Sequence, residues 1–147
     1  LNINEIRMIS RDLHPVMLDK IGLKSSIEHS CEQMMELNKL FISAEVSYTN
    51  SLEKQKELQV YRIIQEGLNN IIKYANAEAA KVTLLEGKDN IVLRIEDNGQ
   101  GFDVEEALKS KKFFGIINIM QRSKTLGGKA EITSSSTGTI IKIELPK

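Results

Sequence analysis

Apolar and polar positions alternate along the chain with two periods, and the switches between them divide it into elements. Ile3, Ile6, Ile9 (or Ser10) and Leu13 recur at helical spacing, which predicts an amphipathic helix over residues 2–13. Pro15 closes it, because the residue before a proline, His14, is pushed out of helical backbone. A second stripe, Leu23, Ile27, Cys31, Met34 and Leu37, predicts a helix over about residues 23–38. The period then drops to two: Ile42, Ala44, Val46 and Tyr48 predict a half-buried strand over residues 41–49. After a polar stretch at 50–57, residues 61–77 return to helical period and split into two faces. Tyr61, Ile64, Leu68, Ile71, Ile72 and Ala75 lie on one, and Arg62, Glu66, Asn70 and Lys73 on the other.

Two further runs, Ala80-Val82-Leu84 and Ile91-Leu93-Ile95, flank a turn at residues 87–90 and predict a hairpin. Residues 103–114 form a charged connector without a clear face. A helix over about 115–126 ends at Gly127-Gly128. Ala130 and Ile132 mark a fourth strand, residues 134–138 a turn, and Ile141, Ile143 and Leu145 a fifth strand. The sum is an α+β fold, a two-layer α/β sandwich with a mixed, mostly antiparallel sheet and helices on one face.

Composition changes this picture little. A chain of 147 residues suits one compact domain with a real core. Twenty Lys+Arg balance twenty Asp+Glu, so the basic excess of a nucleic-acid binder is missing. No apolar run approaches the roughly 20 residues of a membrane helix. The chain starts at Leu1 in what reads as a helix, so it is expected to be a piece of a longer protein. Cys31, the single cysteine, excludes an internal disulfide. His14 and His29 have no accompanying partner residues and read as a turn and a helix residue rather than as catalytic groups.

The candidate chemistry lies where polar residues interrupt an apolar face. Continuing Ile91, Leu93 and Ile95 by one alternation places Asp97 on the inward face, where a carboxylate needs a donor. Thr139 shares the inward face of Ile141, Ile143 and Leu145. Together they could read a flat heterocycle, the carboxylate accepting from an exocyclic amine, and an adenine fits. Alternatively, Asp97 only caps the D-N-G turn. Gly99 and Gly101 bracket a bend that lets a ligand approach the backbone. Gly115 precedes a helix whose N-terminal N–H groups could receive phosphate, with Lys109, Lys111 and Lys112 just before it. On the helix over 61–77, Asn70 offers an amide oxygen suited to Mg²⁺, Glu66 could hold a metal-bound water or take a proton, and Lys73 could meet a phosphate. The competing reading of that row is a solvated helix face.

The order of these motifs adds a resemblance. Q-E-x-L-x-N-x-x-K-Y-A, D-N-G-x-G-F, F-G-I…M-x-R…L-G-G and a final G-T together resemble the ATP-binding domain of sensor histidine kinases. The NarX/DesK-like subfamily of the Bergerat fold, shared with gyrase, Hsp90 and MutL, is the nearest in pattern. The resemblance implies ATP and Mg²⁺ as cofactors. It implies Asn70 as the metal ligand, Glu66 as the preceding acid, Lys73 as a phosphate contact and Tyr74 beside the nucleotide. It further implies Asp97 and Thr139 at the adenine, Gly99 and Gly101 as hinge glycines, a short lid over about 103–114, and Gly115 at the lid's end.

The N-terminal R-D-L-H-P-V-x-L-D-x-I-G-L resembles the end of a dimerisation helix and its linker, giving residues 1–15 to that segment and 16–147 to the ATP-binding domain. His14 does not match a phosphoacceptor box, so the implied partners are a dimerisation domain carrying that histidine and, through the longer protein, a response regulator. The domain is expected to be cytoplasmic and monomeric by itself, with the longer protein membrane-anchored or not. Two positions depart from the pattern: Asn118 stands where the subfamily has a second glycine, and Gly67 where alanine is usual. An anti-sigma-factor-type serine kinase of the same fold, or a non-catalytic nucleotide-sensing or protein-interaction module, are the rival readings.

Overall fold

The computed structural model describes residues 16–109 and 114–147. In chain order its elements are α1 (Val16–Leu37), β1 (Phe41–Ser47), α2 (Lys54–Asn70), a π turn (Ile71–Ala75), β2 (Ala79–Glu86), β3 (Asn90–Asp97), α3 (Val104–Lys109), α4 (Phe114–Thr125), β4 (Lys129–Ser135) and β5 (Gly138–Pro146). The five strands form one sheet in the order β1-β2-β3-β5-β4. β1 runs parallel to β2, with α2 in the crossover that a parallel pair needs, and the other pairs are antiparallel. α1, α2 and α4 pack on the sheet and on one another. The expected two-layer α+β sandwich is the observed architecture.

Register explains why one face of the sheet is the core. Ala44, Val82, Ile95, Ile141 and Ile132 pair across all five strands as one inward row. Val46, Leu84, Leu93, Ile143 and Ala130 form the next. Between strands and helices, Ile63, Ile64 and Leu68 of α2 and Ile119 of α4 are fully buried, which is what the 3.6-residue period of α2 was bound to produce against an aliphatic sheet.

The regular part of α1 starts after Gly22, as expected, because Gly22, with a left-handed φ of 83°, separates it from a short helical segment that begins at Val16. Three local expectations are corrected. Leu37 is 83% exposed rather than part of the buried stripe. The Asn38 side chain caps the helix end at the Met34 carbonyl, and the chain turns so that Leu40 fills the core instead. The connector after residue 103 contains α3, started by Asp103, whose carboxylate accepts from the Glu106 amide, and Ala107 is wholly buried. The turn placed at 134–138 is shorter, because β4 continues through Ser135. The helix expected over 2–13, His14, Lys111 and Lys112 lie outside the described residues.

Inside this packing sits one polar pair, Ser30 Oγ of α1 and the Tyr61 hydroxyl of α2, 2.6 Å apart and buried. Removing either partner strands the other, at about 1–3 kcal/mol, whereas removing both strands nothing. Urea unfolding of Ser30→Ala, Tyr61→Phe and the double variant should therefore give a double-variant loss smaller than the sum of the singles. Strict additivity would show that the two hydroxyls do not act as a pair.

Candidate functional site

The sheet's last inward row breaks the aliphatic pattern. It reads Ile42, Ala80, Asp97, Thr139 and Ser134 across the five strands, so a carboxylate and two hydroxyls stand side by side at the end of an apolar surface. Above them opens a cavity of about 220 Å³ between the sheet and the end of α2. Ile95 and Ile141, one row deeper, make its floor, and Asn70, Ile71, Tyr74 and Phe102 make its walls. The walls are mostly hydrocarbon and aromatic and the polar groups are few, a lining suited to a flat ring with one or two hydrogen-bonding edges.

Asp97 serves two purposes. Its Oδ1 accepts from the Gly99 amide at 2.8 Å, closing the D-N-G turn. The residue also lines the cavity, as the alternation along β3 requires. Burial raises its pKa above the ordinary aspartate value, and the backbone N–H groups of Gly99 and Thr139 pull the other way without cancelling it. Thr139 is 5% exposed and lines the same cavity. Its Oγ1 lies 2.7 Å from Ser134 Oγ, which also accepts from the Phe102 amide at 2.9 Å.

The loop after Asp97 is fastened to the end of the helical segment. Asn98 Oδ1 accepts from the amides of Glu78 and Ala79, both at 2.9 Å. The Gln100 amide donates to the Ala75 carbonyl at 2.8 Å, and its side chain donates to the Tyr74 carbonyl at 3.0 Å. A side chain at position 99 would run into that same Ala75 carbonyl, so glycine is required for the close approach. Gly101 has φ 72° and lies against the Ser135 carbonyl, where again no Cβ fits.

The helix that was expected to run from 61 to 77 changes winding at Asn70. The following π turn bonds five residues apart instead of four, so it advances fewer degrees per residue. Tyr74, rather than Lys73, then comes to lie beside Asn70 over the cavity. Lys73 is exposed and Glu66 half-buried, and neither lines the cavity. Asn70 Nδ2 is buried without a hydrogen-bond partner. Its N–H is therefore left for an acceptor such as an anion oxygen, and its amide oxygen is of the kind a hard cation takes. Among the described residues no group of three His, Cys, Asp or Glu could hold a metal, so a cation at Asn70 would take its other ligands from water or a bound anion. Gly115 packs on this amide: a Cβ there would lie 2.5 Å from Asn70 Oδ1.

Both departures from the motif have a physical reading. A Cβ on Gly67 would lie 2.6 Å from Ile95 Cδ1, so the glycine lets α2 settle onto the cavity floor. Asn118 lines a separate groove with Gln59 and Arg122, away from the cavity. The sequence gives Ser134 no role, because it falls in a run that reads as a turn, and it places Phe102 only within D-N-G-x-G-F, since nothing in spacing links it to a hydroxyl 32 residues away.

With the geometry in place, three comparisons bear on the chain. The model of the family described as "Histidine kinase-, DNA gyrase B-, and HSP90-like ATPase" matches residues 55–147. Sensor histidine kinase MctS of Rhizobium johnstonii is 31% identical over 147 residues, covering 99% of this chain and 32% of the relative. Sensor histidine kinase LiaS of Bacillus subtilis is 31% identical over 146 residues, covering 97% of this chain and 39% of the relative. The chain thus spans between a third and two fifths of these relatives' length. The blue-light activated histidine kinase of Erythrobacter litoralis EL346 superposes with a TM-score of 0.73 at 15% identity, over 84% of this chain and 41% of that one, a likeness of fold.

The raised pKa of Asp97 has a stability consequence. Between the unfolded and folded pKa values the folded state binds more protons, so this group's contribution to stability falls as pH rises through that window. Asp97→Asn removes the titration. In urea unfolding, the stability of the parent relative to Asp97→Asn should improve as pH is lowered from 7 toward the aspartate range. A gap independent of pH would contradict a carboxyl strained by burial.

Proposed function

We propose that this chain, which belongs to the histidine kinase-, DNA gyrase B- and HSP90-like ATPase family, is the ATP-binding catalytic domain of a two-component sensor histidine kinase. The observation that carries the reading is the polar end of the sheet: Asp97 and Thr139, paired across β3 and β5, facing an apolar slot closed by Asn70 and Tyr74.

In this reading adenine enters the slot over Ile95 and Ile141. The second oxygen of Asp97 accepts from the exocyclic amine, while the first keeps the turn closed through Gly99. The triphosphate leaves past Asn70, whose amide oxygen is a ligand for Mg²⁺. The metal, when bound, supplies charge neutralisation across the phosphates. Lys73, exposed after Asn70, adds a mobile positive charge, and Gly115 leaves room for the Asn70 amide. Glu66, half-buried on α2, orders water near the metal or takes a proton. Gly99 and Gly101 hold the loop against its neighbours, and Tyr74 flanks the ring. Little covalent work falls to these groups, because phosphoryl transfer depends mainly on alignment and on spreading negative charge.

The phosphoryl acceptor is a histidine of a dimerisation domain in the longer protein, from which a response regulator aspartate receives the group. In this reading residues 1–15 belong to the segment that joins the dimerisation domain, and 16–147 are the ATP-binding domain, acting in the cytoplasm. Among the described residues no helix is long and apolar enough to cross a membrane. The match to MctS extends over 99% of the chain, which favours this reading over a serine kinase without dimerisation helices. Asn118 is not among the residues lining the cavity, which supports this reading over a non-catalytic module.

Calorimetric titration with Mg·ATP tests the assignment. The parent chain should bind, and Asp97→Asn should lose roughly tenfold or more in affinity, the worth of a hydrogen bond to a charged acceptor. With a purified dimerisation domain added, acid-labile phosphate should appear on histidine. Absence of ATP binding by the parent would end the reading.

A further inference from the structure

Ser134 is assigned no role by motif or spacing, yet it stands between two parts of the site. Its Oγ accepts from the Phe102 amide at 2.9 Å and lies 2.7 Å from Thr139 Oγ1. Gly101 makes the first contact possible, since a Cβ there would lie 2.9 Å from the same oxygen. Phe102 and Thr139 both line the cavity.

The direction of the second bond follows from counting hydrogens and from which hydroxyl lines the cavity. A serine hydroxyl has one hydrogen and two acceptor sites. The Phe102 N–H is a fixed donor and takes one of those sites. Whichever of the two hydroxyls donates, the other keeps one hydrogen without a partner among the described residues. Thr139 lines the cavity and Ser134 is not among its lining residues, so with Ser134 donating the spare hydrogen is that of Thr139 and is left for the cavity. Such a chain polarises along its length, each donor strengthening the next.

We propose that Ser134 is a positioning residue that fixes Thr139 as a hydrogen-bond donor to the base and ties the Phe102 turn to base recognition. The proposal rests on the nucleotide reading above and deepens it. Asp97 is opposite Thr139 in register, so the row presents an acceptor beside a donor. That order matches a purine with an amino group next to a bare ring nitrogen, as in adenine, directly or through one water. It opposes a purine with a carbonyl next to a ring N–H, as in guanine. The Phe102 amide, at the start of the segment leading into α3, is the first member of the chain and senses whether its last member is engaged.

Ser134→Thr keeps the hydroxyl and Ser134→Val replaces it with a methyl group of the same shape, both on a strand that accepts β-branched residues. Two quantities are read on the full chain: affinity for Mg·ATP, and amide hydrogen exchange at Phe102 with and without ATP. The threonine variant should bind within about twofold of the parent, and ATP should slow exchange at Phe102 in both. The valine variant should bind roughly three- to tenfold more weakly, the worth of one neutral hydrogen bond, and ATP should no longer slow exchange at Phe102. If the valine variant does not fold, Ser134→Ala takes its place with the same expectation. Equal affinity and equal protection in the threonine and valine variants, with a parent that binds, would overturn the role of Ser134 alone. A parent that does not bind ATP would overturn the nucleotide reading and this inference with it.

Discussion

A carboxylate at the end of an apolar sheet face is costly unless something donates to it, and Asp97 is held there by alternation along β3. Ile91, Leu93 and Ile95 are essentially fully buried, so the strand cannot slip by one residue to free Asp97 without turning its whole aliphatic face to water. The fold answers with backbone donors, the Gly99 and Thr139 amides, which only partly offset the burial, and the residue still lines the cavity. Much of the nearby loop geometry follows. The D-N-G turn must close immediately, Gly99 must press against the Ala75 carbonyl, and Asn98 must reach back to the amides of Glu78 and Ala79.

The same region leaves a second group incompletely satisfied. Asn70 Nδ2 is buried without a partner, on a residue that lines the same cavity as Asp97. Such debts in an otherwise well-packed domain concentrate where a ligand is to be received. In the proposed role, one ligand with an amine at one end and an anion at the other would meet both, an anion oxygen accepting from Asn70 Nδ2. The rows beneath, from Ala44 to Ile132 and from Val46 to Ala130, are aliphatic throughout and give the rigid floor against which such a ligand is aligned.

Strand identity, the sheet's inward face and the inward position of Asp97 and Thr139 were legible from alternation, because a two-residue period admits only two orientations. The helical row was less legible. Projecting 3.6 residues per turn through residues 61–77 put Lys73 in line with Asn70, but the π turn rotates Tyr74 into that place, and local composition does not announce a change of winding. Leu37 was misplaced for a similar reason: the stripe continues in sequence past the point where Asn38 stops the helix. Ser134 was hidden by its composition, since a run of Ser and Thr before glycine reads as a turn whether or not its first residue still belongs to the strand. α3 did carry a signal, Asp103 three residues before Glu106, but its six residues are too few to show a face.

The central claim is that Asp97 and its neighbours select an exocyclic amine. Comparing ATP with inosine triphosphate isolates that edge of the base, because the two share ribose and phosphates and differ where adenine's amine becomes a carbonyl and its bare neighbouring ring nitrogen an N–H. Binding measured side by side by calorimetry should favour ATP by at least roughly tenfold, since the carbonyl loses the hydrogen bond and faces a carboxylate. Equal affinities would contradict the account, because the polar row would then not be reading the base.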